Sequence, residues 1–222
     1  MKRRINLSVM CGAALATVLA AHAAGAQVVV ATGDEAKGFA LVDAHSTSGN
    51  ITAQSYGVTA GVTLRGPLQL TAEGTRVLDI SPASMGTGAA LIARYLGDTQ
   101  GTSGYTVITP VTMGTAGLRY NTMPGKRVRP YLAGNVGLAH IAHDATFTVK
   151  GTDVTANLAQ YGVTLGTDLS GTENVLVFGG GAGAAVDLAK KVFLDLNYKY
   201  SRLQGQAPSN LQQFGGGIGI RF

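Results

Sequence analysis

From Val192 to Leu203 the chain alternates. Val192, Leu194, Leu196, Tyr198 and Tyr200 share one parity, while Asp195, Asn197, Lys199 and Ser201 share the other with Phe193 as its only apolar member. A period of two belongs to a strand, whose successive side chains point to opposite faces. The run before it, Leu176 to Leu188, sets Leu176, Phe178, Ala182, Ala184, Val186 and Leu188 against Gly179, Gly181, Gly183 and Asp187. The run after it, Phe214 to Phe222, sets Phe214, Gly216, Ile218, Ile220 and Phe222 against Gly215, Gly217, Gly219 and Arg221. Five earlier segments follow the same rule with varying clarity: Lys37 to Thr47, Ser55 to Leu64, Leu68 to Ile80, Tyr105 to Tyr120 and Pro130 to His143. The pattern therefore predicts eight strands.

The connectors alternate in length. Arg65-Gly66-Pro67, Pro124-Gly125-Lys126 and Ala189-Lys190 carry the breaker or polar residues of tight turns. Longer segments lie between them: Ser48 to Gln54, Ser81 to Gly104, Asp144 to Thr172 and Gln204 to Asn210. Tight turns on one side and long loops on the other are how a transmembrane β-barrel meets its two compartments. The expected fold is all-β, a transmembrane antiparallel eight-stranded up-and-down barrel.

Composition separates this reading from a soluble sandwich. Only 13% of the residues are charged, while 45% are hydrophobic and 32 are Gly. The non-apolar strand faces are mostly Gly, Ser, Thr and Asn, too poor in Lys and Glu for an ordinary water-facing surface. They suit the narrow bore of a small barrel, which side chains fill. Single charges on that parity, at Glu73, Arg119, Asp195, Lys199 and Arg221, are the candidate interior charges. They either line a narrow pore or neutralise one another in a packed plug. The plug is expected, with Asp195 and Lys199 on one face of one strand and Arg221 close to Asp195 on the next. Arg76 and Arg202 break the parity near loop-side strand ends, where a lipid-facing charge costs little. Candidate interfacial aromatics are Tyr56, Phe178, Tyr198, Tyr200 and Phe214 toward the loop side, and Tyr120 with Phe222 toward the turn side.

The first residues form a separate unit. Lys2, Arg3 and Arg4 precede an apolar stretch from Ile5 to Ala21, and Ala24-Gly25-Ala26 offers a small-residue cleavage site. This is the form of a secretory signal peptide over residues 1–26, cleaved after Ala26 or alternatively Ala23, with the barrel domain over 27–222. Cleavage removes three of the 17 Lys and Arg and the single Cys11, leaving a nearly balanced chain against 12 Asp and Glu. No basic patch then points to nucleic acid, and a Cys-free chain suits an oxidising compartment.

Three stretches resemble a known family. Arg129-Pro130-Tyr131-Leu132-Ala133-Gly134-Asn135-Val136-Gly137, Leu194-Asp195-Leu196-Asn197-Tyr198-Lys199-Tyr200 and the terminal Phe222 are similar to the OmpA/OmpX-type small outer-membrane β-barrels of Gram-negative bacteria. The resemblance implies a bacterial outer-membrane location, with Phe222 as part of the signal read by the outer-membrane assembly machinery. It implies contact with outer-membrane lipids and lipopolysaccharide, and loops free to meet a host or surface ligand. The peptidoglycan-binding domain that follows some of these barrels is not expected.

Little else points to chemistry. His140 and His143 lie three apart, so on a strand they point to opposite faces and do not chelate one ion without a bulge. Gly179-Gly180-Gly181-Ala182-Gly183 resembles a phosphate loop, yet no helix pattern follows it. His45 with Ser46 or Ser48 resembles the Ser/His pairs of outer-membrane lipid hydrolases without any local motif, and loop-side polar residues are the simpler reading. The expected function is therefore non-enzymatic, without cofactor, metal or nucleic acid: envelope integrity and surface-loop interaction. The alternatives are a narrow porin-like channel for small solutes and, behind it, a lipid-modifying enzyme.

Overall fold

The computed structural model describes residues 37–49, 51–205 and 208–222; the expected signal peptide lies outside them. Among the described residues ten strands form in chain order: β1 (Gly38–Ser48), β2 (Thr52–Arg65), β3 (Leu68–Val77), β4 (Ser103–Ile108), β5 (Val111–Asn121), β6 (Val128–Val149), β7 (Thr152–Asp153), β8 (Ser170–Asp187), β9 (Val192–Gln204) and β10 (Ser209–Arg221). Eight of them close a ring of antiparallel neighbours, β1-β2-β3-β5-β6-β8-β9-β10. The seam that closes it runs from Phe39 opposite Arg221 to Ser48 opposite Gln212. The short β4 and β7 pair only with the far end of β6, beyond the ring.

Through the ring the odd-numbered residues face inward and the even-numbered ones outward. Val42, Leu132, Val136, Leu138, Leu176, Leu196 and Ile218 are thus each more than half exposed on the outer wall. A monomeric soluble protein rarely exposes an apolar belt of this extent; against hydrocarbon it is the expected lipid-facing surface. Inside, glycines make room for rings. A Cβ at Gly61 would strike the Phe39 ring, one at Gly219 the Phe193 ring, and one at Gly183 the Tyr131 ring. That is why bulky inward residues coexist with a bore only eight strands wide.

The turn side matches the expected breakers: residues 66–67, 122–127 and 188–191 connect strands there, with Gly66 and Gly125 at positive φ. The loop side differs from expectation in three ways. The segments expected as long loops at Ser48–Gln54 and Gln204–Asn210 are short, because strand pairing continues to Thr52 on one and to Ser209 on the other. The segment expected as a loop at Ser81–Gly104 contains an 18-residue helix, α1 (Ala83–Gln100). Finally, Asp144–Thr172 is structured: β6 runs on to Val149, Lys150 and Gly151 turn at positive φ into β7, and a short 3-10 helix spans Thr155–Tyr161.

These parts build a cap. Met85, Ala89, Ala93 and Leu96 of α1 pack on Ala145, Phe147 and Val149 of β6 and on Val154, Leu158 and Leu169. The Asp79 carboxylate pins its base, accepting hydrogen bonds from the backbone N–H groups of Ser81 (2.9 Å) and Thr109 (2.8 Å). Asp153 accepts from both the hydroxyl and the backbone N–H of Thr155, which hold its carboxyl below the usual range. A strand needs about 9–11 residues to cross a bilayer, so β6 with 22 and β8 with 18 extend well past it. The cap stands on these extensions. No helix among the described residues is long and apolar enough to cross a membrane itself.

Candidate functional site

The bore is layered from the turn side to the loop side. At the turn-side mouth, Arg129 donates to the Asp187 carboxylate at 2.6 Å, and Arg221 donates to the same oxygen. Arg221 also lies over the Phe193 ring, 4.2 Å from its centroid, and Phe193 meets Phe39 edge-on. The expected closeness of Arg221 to Asp195 is therefore corrected. The hairpin register places Asp195 opposite Gly217, four positions further in, and leaves Asp187 beside Arg221.

One layer further in, Asp195 is fully buried and accepts three hydrogen bonds: from Arg119 (3.3 Å), the Tyr131 hydroxyl (2.7 Å) and the Asn197 amide (2.8 Å). Arg119 stacks on Tyr131, 3.4 Å from the ring centroid. Above it, Lys199 donates to Glu73 at 2.7 Å and to Asp43 at 3.0 Å. Asp195 and Lys199, though on one face of one strand, serve separate clusters. The next layer joins His45 to Asn197 (2.9 Å) and Gln213 to Ser55 (2.9 Å), with Asp43 3.7 Å from His45.

Buried charges of this kind are stable only when paired and hydrogen-bonded. A cavity of about 50 Å³ lies among them, lined by Thr59, Glu73, Arg119, Asn135 and Lys199. Thr59 Oγ1 and Asn135 Oδ1 have no protein partner there, and the cavity is large enough for water.

The loop-side end of the bore is apolar. Val77, Ile80, Val111, Met113, Ala139, Ile141, Val175, Val177, Leu203 and Leu211 form one buried cluster. This corrects the reading of the inner face as mainly small and polar. The start of β5 and of β8 and the top of β6 supply most of this layer.

The other candidate positions are placed as follows. Tyr56, Tyr120, Phe178, Tyr198, Tyr200, Phe214 and Phe222 are all exposed on the outer wall, Tyr120 and Phe222 toward the turn side. His140 faces outward, hydrogen-bonded to Asn174 at 2.9 Å, whereas His143 turns toward Glu173 at 3.7 Å. Among the described residues no group of three metal-ligating side chains comes together. His45 lies inside the bore while Ser46 and Ser48 are exposed outside, so the pairing diverges. The glycine run 179–181 and Gly183 belongs to β8.

Residues that sequence reasoning missed are Asp43, His45 as an interior group, Asn197, and Tyr131 as a ligand of Asp195. Parity alone would have put Tyr131 and Asn197 inside. Asp43 and His45 lie on β1, in one of the earlier segments where the alternation is less clear than in β9.

No protein-family model matches the chain, and no curated protein sequence matches it. Among solved structures, Neisserial surface protein A superposes with a TM-score of 0.54 at 15% identity, covering 84% of this chain and 97% of that one. Ail, the attachment invasion locus protein of Yersinia pestis, gives 0.47 at 12% identity, covering 84% and 99%. The N-terminal β-barrel domain of Pseudomonas aeruginosa OprF gives 0.45 at 17%, covering 85% and 100%. With its closed antiparallel ring, apolar outer belt and charge-paired bore, the chain has the fold of the small eight-stranded outer-membrane β-barrels, and its resemblance to the OmpA/OmpX-type family holds at the level of that fold.

Proposed function

We propose that this protein is a non-enzymatic barrel of the bacterial outer membrane that carries a rigid cap for surface interaction and contributes to envelope integrity. The cap carries the reading. It has its own buried cluster around Leu96 and Phe147, both fully buried, and presents Leu91, Tyr95 and Tyr105 outward beyond the ring. A merely connecting loop has no need of a core. In this reading the signal peptide directs export, the assembly machinery inserts the barrel, and outer-membrane lipids and lipopolysaccharide surround the belt. The charged residues Glu73, Arg119, Asp195, Lys199 and Arg221 act as a structural plug. The ten-residue apolar layer across the bore favours this over a small-solute channel.

The test uses the refolded full chain and cells displaying it. Planar bilayers should show no stepwise conductance, and steady ion currents would sink the plug. Adherence of cells to an array of immobilised glycans and matrix proteins should drop when residues 83–100 are replaced by a short Gly/Ser turn. Equal adherence with a correctly inserted barrel would remove the surface role. Unchanged lipid A masses in cells with and without the chain are expected, and an altered mass would instead support the lipid-modifying enzyme.

A further inference from the structure

The turn-side mouth of the bore has a composition that the plug does not explain. A cavity of about 210 Å³ opens between the tight turns, and its wall carries Arg119, Arg129, Lys190 and Arg221 against the single carboxylate of Asp187. Asp195 balances Arg119 from the inner side. Arg129 and Arg221 share Asp187, each reaching it through one guanidinium nitrogen, so that trio keeps one positive charge. Lys190, on an exposed turn, adds another.

A guanidinium has five N–H donors in a fixed fork, and one shared carboxylate oxygen satisfies few of them. Arg119 closes the inner wall: it is 6% exposed and lines this cavity as well as the smaller one further in, where Asp195 is its counterion. An interior designed only for neutrality would place a second carboxylate here, and none lines the cavity.

We propose that this vestibule is a binding site for an oxyanion of the phosphate class, approached from the turn side. The planar forks of Arg129 and Arg221 match the geometry of two oxygens, and both are held in place, Arg221 by the Phe193 ring and both by Asp187. Lys190 supplies an exposed charge at the rim. The cavity has room for a phosphate group with several waters, at roughly 30 Å³ per water. The phosphate of a soluble ester and that of an anionic lipid headgroup present the same oxygens.

The experiment uses the full chain in maltoside micelles, free of phosphate, titrated with inorganic phosphate by calorimetry at low ionic strength. Saturable binding is expected, weakening as salt rises. Arg129→Gln should weaken it about tenfold, a loss of one charge-assisted contact. Lys190→Gln changes an exposed side chain on the turn, so it keeps the test valid should Arg129→Gln fold poorly; it should weaken binding severalfold. Arg76→Gln on the outer wall should leave binding unchanged.

Absence of saturable binding, or binding indifferent to both vestibule substitutions, overturns the site. Repeating the titration in nanodiscs with and without anionic phosphatidylglycerol separates the sources. Phosphate binding lost only with the anionic lipid assigns the site to a headgroup, and equal binding assigns it to a soluble oxyanion.

Discussion

Asp195 concentrates the energetics of the bore at one side chain. It is fully buried and receives Arg119, Tyr131 and Asn197 together. Asp195→Leu strands the Arg119 charge without its counterion and should cost about 3–5 kcal/mol, read as a lowered urea midpoint in micelles. The double variant Arg119→Leu with Asp195→Leu should recover most of that loss, since two apolar groups replace a desolvated pair. A double variant as unstable as the single one would mean that the pair is not coupled. Glycines act at the same scale through shape. A Cβ at Gly217 would run into the Val42 carbonyl and the Asp43 Cα across the closing seam, whereas one at Gly114 meets nothing. Gly217→Ala should therefore destabilise by about 1–3 kcal/mol, while Gly114→Ala should change stability by less than about 0.5 kcal/mol. Equal effects in the urea titration would show that the seam has slack.

Among the elements, α1 was the least legible. Its buried residues recur at helical spacing, Met85, Ala89, Ala93 and Leu96, but three are small or flexible and the stretch carries Gly86, Gly88 and Gly97. Pro82 occupies the N-cap and makes no side-chain capping bond, so the usual start signal is missing. The helix is held by the surface it meets on β6. Leu96→Ala should accordingly cost the cap about 2–5 kcal/mol. Limited proteolysis should then cut within residues 83–100, while the closed ring should still make unheated protein migrate differently from boiled protein on a gel. Loss of that difference as well would make cap and ring one cooperative unit. β9 and the lower part of β10 were plain in the pattern, alternating cleanly, whereas the segment Tyr105 to Tyr120, expected as one strand, splits at Thr109-Pro110 into β4 on the cap and β5 in the ring, since Pro110 lacks an N–H for the ladder.

For the whole molecule, closure matters most. The ring leaves no unpaired edge through the membrane, and its last contact pairs the backbone of Phe222 with Gly38 in both directions, at 3.1 and 3.0 Å. The Phe222 ring is 55% exposed at the turn-side rim. Phe222→Ala should therefore remove only about 1–2 kcal/mol of interfacial burial, and the purified variant should refold nearly normally. If Phe222 is read by the assembly machinery, the amount inserted in cells should fall far more than that stability change accounts for. Failure of the purified variant to fold, with cellular insertion intact, would make Phe222 a structural residue instead.

The sequence by itself determined that eight strands alternate between an apolar and a polar face and where the tight turns lie, because a period of two and the local chemistry of Gly, Pro and Lys are short-range properties. The same parity placed Glu73, Arg119, Asp195, Lys199 and Arg221 on the inner face of their strands. Which of them meet was decided only by tertiary structure. Register slides one strand against the next, so Arg221 stands by Asp187 and not Asp195, and Lys199 crosses the bore to Asp43 and Glu73. The cap and the apolar layer beneath it were likewise decided by distant segments meeting. Ile80, Val111, Val175 and Leu211 form one cluster only once the ring has closed, and no local pattern encodes that closure.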